Sequence, residues 1–260
     1  MRRIRAAGVV ALVLAVALAG CSGLTGGDGT PSATDGGPDG TPVDTDSILA
    51  AHTEALDGAG SYTTNATIAI NGSGPVSGTQ SVSYLVDSGS DEAMLRQTFQ
   101  GASVVQYTAG NTTYLRQTQG GNATYRVASE PYGDGFQALT PVNTSQAANL
   151  AGLGSVLGNV TYQQAGSATV DGVAVTRYEA SGSDAINLGN SPGNVTAFES
   201  TLAVADDSGV VRTLTFTISI EQQGQTQEQD IEVTTSGVGS TTVPEPDWLD
   251  EAREQNQTAS

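Results

Sequence analysis

Few residues in this sequence are equipped for catalysis. Its 260 residues hold one histidine, His52, one cysteine, Cys21, and no lysine. General acid–base or covalent catalysis sets a His, Cys, Lys or perturbed carboxylate beside a partner. Ser and Thr are abundant, 56 residues in all, but with no base beside them none is marked out as a nucleophile. Carboxylates gather at Asp87, Asp91 and Glu92 and again at Asp206 and Asp207, each time within turn chemistry. A carboxylate pair is what glycoside hydrolysis uses, and hard cations take oxygen ligands. The Asp-x-Asp-x-Asp-Gly pattern of a calcium loop does not occur, and solvated acidic turns explain these groups better. The expectation is therefore a non-catalytic protein with no cofactor and no metal. His52 falls on or beside the apolar stripe of a short helix, where a packed, hydrogen-bonded imidazole is the expected role.

A second chemical pattern lies in the asparagines. Eight of the eleven head an Asn-x-Ser/Thr triplet: Asn65, Asn71, Asn111, Asn122, Asn143, Asn159, Asn194 and Asn256. The Ser and Thr content would place about two by chance, so the excess reads as candidate glycosylation acceptors on an exported surface. Most of them fall in or beside expected turns, or on the polar face of expected strands.

Charge narrows the partners. All nine basic residues are arginine, and 27 acidic residues oppose them. A surface this acidic repels itself at low salt, and molar salt screens it by cutting the Debye length to about 3 Å. Acidic excess, absent lysine and abundant Thr, Gly and Ala resemble the proteins of salt-loving archaea. Nothing here neutralises a phosphate backbone, so nucleic acid is excluded as a partner. A basic patch for anionic membranes is missing too.

The N-terminus carries an address. Arg2, Arg3 and Arg5 precede fifteen residues, Ala6 to Gly20, without a charge or a hydrogen-bonding side chain. As a helix that stretch rises about 22 Å, short of the roughly 30 Å hydrocarbon core, so a cleaved secretory signal is the better reading. Leu18-Ala19-Gly20-Cys21 resembles the lipobox of prokaryotic lipoproteins. That resemblance implies a lipid on Cys21, which anchors the mature chain to the outer face of the cytoplasmic membrane. The expected divisions are a signal over 1–20, a lipidated cysteine and disordered tether over 21–45, one domain over 46–253, and a disordered tail over 254–260. The tether is chiefly Gly, Pro, Asp, Ser and Thr, too polar to bury a core.

Periodicity supplies the elements of the domain. A helix is expected from Asp46 to Asp57, capped by Asp46 or Thr45 and closed by Gly58, with Ile48, Ala51, Ala55 and Leu56 on one stripe. Strands are expected at Tyr62–Ile70, Thr79–Val86, Met94–Phe99, Val104–Thr108, Thr113–Gln117 and Thr124–Ala128. More follow at Val160–Gln164, Ala168–Glu179, Leu202–Val204, Thr213–Ile220 and Gln229–Thr235. Leu214, Phe216, Ile218 and Ile220 alternate with hydroxyl residues, one face buried and one wet, as in an antiparallel sheet. Ala147, Leu150, Leu153 and Leu157 recur at helical spacing within a midchain helix, Thr144–Leu157, that Gly152 and Gly154 weaken. Trp248, the only tryptophan, follows Pro244 and Pro246 and is expected to pack onto the sheet edge.

Helix, antiparallel hairpins, midchain helix, further hairpins: this order is similar to that of the half-barrel lipoproteins. That group comprises the lipoprotein-carrier chaperone of Gram-negative bacteria and the lipid-binding lipoproteins of mycobacteria. The likeness is carried by Ala55 to Tyr62, by Thr169 to Tyr178, and by the acidic turn Ala205 to Arg212. It implies an α+β fold, a large curved antiparallel sheet with the N-terminal and midchain helices packed on its concave face. It also implies an apolar cavity for acyl chains, and it brings no catalytic residues. Val82, Tyr84, Leu150, Leu153, Leu214, Phe216, Ile218 and Ile220 are the candidate cavity wall, as well as candidate core. The reading is a cell-surface lipoprotein that holds or carries an apolar ligand such as a membrane lipid. Its alternative is an envelope structural or interaction protein with a filled core, docking other surface proteins.

Overall fold

The computed structural model describes residues 43–72, 77–128, 148, 154–187 and 193–258, all within one compact unit, Ala33–Ser260. Cys21 with the signal, most of the tether, Leu150, Leu153 and Asn143 lie outside the described residues, as does the side chain of Asn256.

Helix α1 spans Thr45–Ala59. Its N-cap is Asp44 rather than Asp46 or Thr45: the Asp44 carboxylate accepts from the Ser47 amide at 3.4 Å and from the Ser47 hydroxyl at 2.6 Å. Those two bonds hold its pKa below the usual carboxylate value. Thr45 is spent elsewhere, buried with its hydroxyl donating to the Val160 carbonyl at 3.4 Å. The helix runs past Gly58 and stops at Gly60, which takes the left-handed conformation (φ 71°) and donates to the Leu56 carbonyl at 3.1 Å.

Eleven strands form one curved, open, wholly antiparallel sheet in the order β6-β5-β4-β3-β2-β1-β11-β10-β9-β8-β7. The first six are β1 Ser61–Gly72, β2 Gly78–Asp87, β3 Glu92–Phe99, β4 Ala102–Ala109, β5 Thr112–Gln119 and β6 Asn122–Ala128. The rest are β7 Gln163–Val170, β8 Val173–Ser181, β9 Asn194–Ala205, β10 Val211–Gln222 and β11 Gln225–Ser236. The two meanders meet where β1 pairs with β11. Between them come a short helical turn, α2 Gly154–Leu157, and a helical position at Ala148, the described parts of the expected midchain helix. This is the half-barrel α+β architecture.

Three expectations change. Ala168–Glu179 is a hairpin, not one strand: Asp171 (φ 49°) and Gly172 (φ 81°) form a two-residue turn between β7 and β8. Positive φ at both positions suits Asp-Gly and matches the twist of the strands it joins. Val160 makes only an isolated bridge to Ile186, so the strand near it begins at Gln163. A third helix, α3, covers Leu249–Thr258, an element the sequence reading did not include.

Packing divides by face. On the concave face Leu202, Leu214, Phe216, Ile218, Ile231 and Val233 pack with Tyr162 and Leu157, and Ile48 and Leu49 of α1 close over them. A second cluster joins Leu56 of α1 to Tyr62, Val86 and Val210. The helix comes close because Gly209 (φ 73°) has no Cβ; one there would lie 3.3 Å from the Ala51 Cβ. The third cluster lies on the convex face, where Trp248, Leu249 and Ala252 cover Met94 and Tyr107. Trp248 meets the ring of Tyr125 on edge strand β6, with ring centroids 5.9 Å apart, and Arg253 sits 5.8 Å from the Tyr114 ring centroid. Packing of Trp248 was expected; a helix behind it was not.

Candidate ligand-binding site

Strand register assigns each side chain a face, because alternate residues point to opposite sides. On the concave side, one row runs Tyr84, Leu95, Gln106, Leu115, Arg126 from β2 to β6. The next runs Val82, Gln97, Val104, Gln117, Thr124. Beside it, Gln80 pairs with Phe99, and Phe99 with Ala102. Followed the other way, the Val82 row continues through Ala66, Val233, Leu214 and Leu202 into the packed core.

The candidate residues therefore separate into two groups. Leu214, Phe216 and Ile218 are buried and packed with Phe198, Leu202 and Ile231, a filled floor. Phe198 and Phe216 meet with ring centroids 6.2 Å apart. Val82, Tyr84 and Ile220 are only partly buried, at the margins of the clusters. Burial raises the Tyr84 phenol above its usual pKa, so it stays neutral.

Beyond Val82 and Tyr84, the concave wall carries Leu95, Phe99, Val104 and Leu115, four half-buried apolar residues that belong to none of the three clusters. Sequence reasoning missed them. The alternation of Leu95, Gln97 and Phe99 was a signal for one face, but the face that looks inward follows only from pairing with Val82 and Tyr84. Gln97, Gln106, Gln117 and Arg126 interleave with them, so this wall mixes apolar area with hydrogen-bonding groups.

His52 sits at the seam of the two concave clusters and is fully buried. The Val211 amide donates to its Nδ1 at 3.1 Å, which makes Nδ1 the unprotonated nitrogen and places the proton on Nε2. Nε2 is turned toward the backbone of Ala148 outside good hydrogen-bond geometry. Burial is the main cause of a pKa lowered to about 4, so the ring is neutral. Sealed from solvent and used as an acceptor, it acts as packing and a tether for α1.

Three of the five candidate carboxylates are held by hydrogen bonds, one within its own turn and two to neighbouring strands. Asp87 accepts from the Gly89 amide at 3.0 Å, Asp206 accepts from the Thr176 hydroxyl at 2.7 Å, and Glu92 accepts from the Tyr107 hydroxyl. Among the described residues no group of three or more His, Cys, Asp or Glu could hold a metal ion. Asn65, Asn71, Asn111, Asn122, Asn159 and Asn194 are all exposed. Asn111 is a turn residue, Asn122 opens β6, and Asn194 opens β9. Asn65 and Asn71 lie on the convex face of β1, where the Asn71 amide donates to Asp230 at 3.2 Å. No helix among the described residues is long and apolar enough to cross a membrane.

Among solved structures, the fold is similar to LprF from Mycobacterium bovis, at 15% identity and a TM-score of 0.41 over 80% of this chain and 99% of that one. It is similar to the lipoprotein LppX of Mycobacterium tuberculosis, at 17% identity and a TM-score of 0.37 over 77% and 98%. A LolA superfamily protein from Nitrosomonas europaea matches at 14% identity and a TM-score of 0.25 over 78% and 96%. No curated protein matches the sequence significantly. One family profile spans nearly the whole chain, residues 5–252, and by it the protein belongs to the Family of unknown function (DUF7537).

Proposed function

We propose that this protein is a non-catalytic, lipid-anchored surface protein that holds an apolar ligand, such as a membrane lipid, against the concave face of its sheet. The observation that carries the reading is the wall of Leu95, Phe99, Val104 and Leu115, left outside every packed cluster of the described residues. Apolar area of this kind gains roughly 25 cal/mol per Å² when water leaves it, so an acyl chain laid across it is stabilised. Interleaved glutamines offer hydrogen bonds to an ester or hydroxyl of the same ligand. The Leu-Ala-Gly-Cys21 motif supports an anchor on the outer face of the membrane, and the exposed asparagines support glycans on an exported surface. The charge supports a home in molar salt.

The test is titration of a fluorescent fatty acid into delipidated chain carrying Cys21→Ser. The reading expects saturation at a single site, weakened about tenfold by Leu115→Glu, because a carboxylate in the wall must be desolvated. Non-saturable binding, or binding indifferent to Leu115→Glu, counts against it.

A second reading rests on β7. This edge strand has no charged residue and is exposed along most of its length, as a docking edge would be. Crosslinking on intact cells that captures no protein through β7 removes that reading.

A further inference from the structure

The convex face holds a groove that the apolar site does not explain. Arg96 of β3 and Arg116 of β5 stand on either side of Val105 of β4, in register across three strands. Two strand spacings, roughly 10 Å, separate their backbones, close enough for both guanidinium groups to converge over Val105. A groove of about 370 Å³ opens there. Met94, Val105 and Trp248 form its apolar wall, and Pro244 to Asp247 form its rim.

Among the described residues two other arginines form ion pairs, whereas these two, like Arg212, form none. Arg177 pairs with Glu179, and Arg253 pairs with Asp250 at 3.0 Å. Arg96 donates from Nε to the Met94 sulfur at 3.0 Å, a weak acceptor. The Arg116 Nε is sealed from solvent and has no partner at all. Neither makes an ion pair among the described residues, although Glu245 and Asp247 line the same groove. With 27 carboxylates in the chain, an arginine has no shortage of partners to fold against. Two guanidinium forks kept without any, on rigid strands and at one groove, suit recognition of a planar or tetrahedral oxyanion.

We infer that this groove binds a small oxyanion, carboxylate or phosphate, between Arg96 and Arg116. The acidic rim of Glu245 and Asp247 repels bare polyanions and favours a ligand that also carries an ammonium or hydroxyl group. The site is on the opposite face from the apolar wall, and neither depends on the other.

Calorimetry on the chain carrying Cys21→Ser, at constant molar salt, tests this with three probes: inorganic phosphate, phosphoethanolamine, and vesicles of phosphatidylethanolamine. Phosphoethanolamine is expected to saturate and to bind more tightly than inorganic phosphate. Arg96→Gln and Arg116→Gln should each weaken it about tenfold, the scale of one charged hydrogen bond, while Arg177→Gln leaves it unchanged. Vesicle binding lost in the same two variants assigns the anion to a lipid headgroup; soluble binding without vesicle binding assigns it to a free solute. Melting curves confirm that the variants fold, and exposed Arg96 carries the test if Arg116→Gln does not. No saturation with any probe, or equal affinity in wild type and Arg96→Gln, overturns the site. Equal affinity for phosphate and phosphoethanolamine overturns the selecting role of the rim.

Discussion

Acidification should loosen this fold through one residue. His52 is fully buried, its Nδ1 accepts the Val211 amide, and its folded pKa lies near 4 against an ordinary 6.5. Protonation puts an Nδ1–H against the Val211 N–H, two donors facing each other, at the contact that ties α1 to β10. The unfolded chain binds the proton more readily, so His52 favours folding fully above about pH 6.5. That contribution declines as pH falls and is gone below about pH 4. The gap between about 4 and 6.5, at about 1.4 kcal/mol for each tenfold change in proton affinity, amounts to between about 3 and 4 kcal/mol. Urea unfolding followed by circular dichroism, at constant molar salt and at steps from pH 7.5 to 4, gives the curve for wild type. Carboxylate titration contributes to that curve too, so His52→Gln serves as the reference; its Oε1 can still accept from Val211. The difference between the two should shrink or reverse by about 3 kcal/mol between pH 7 and pH 4. A difference that stays flat refutes both the sealed environment of His52 and its tether role.

Other outcomes follow from the packing. Phe216→Ala, in the filled floor, should cost about 3–5 kcal/mol by denaturant unfolding, whereas Leu115→Ser, on the half-buried wall, should cost about 1 kcal/mol or less while reducing ligand retention. Trp248→Ala should cost about 3–5 kcal/mol, because Met94 and Tyr107 lose their cover, with thermal unfolding by circular dichroism as the readout. Asp44→Ala should lower stability by about 1 kcal/mol through loss of the α1 cap, whereas Asp46→Ala should cost far less.

Where local chemistry and tertiary demand agree, the fold was legible in the sequence. In β10, Leu214, Phe216, Ile218 and Ile220 alternate with hydroxyl residues, and all four face the concave side; Ile220 alone is left half-buried at the margin. The turn at Asp206 to Gly209 was readable for the same reason, as polar residues and a glycine between two apolar runs. The α1 cap falls at Asp44, before both expected candidates, because Thr45 is taken by Val160 across the fold. Helix α3 escaped because Leu249-Asp250-Glu251-Ala252-Arg253-Glu254 presents almost no apolar stripe; Leu249 and Ala252 suffice only because a prepared convex surface awaits them. The half-buried wall of the candidate site was the least readable part. Leu95, Phe99, Val104 and Leu115 look like any half-buried strand residues until register places them on one side. Floor and wall share an alphabet, so the division between Leu214 and Leu115 depends on what packs over each and not on residue type.

The apolar wall is the central claim, and native mass spectrometry with solvent extraction tests it most directly. The chain carrying Cys21→Ser, exported by a host grown in molar salt and purified without detergent, should carry a stoichiometric, extractable lipid. Leu115→Glu should strip that lipid while the fold persists. An apo mass for the wild-type concave face, with no extractable lipid, would contradict the account.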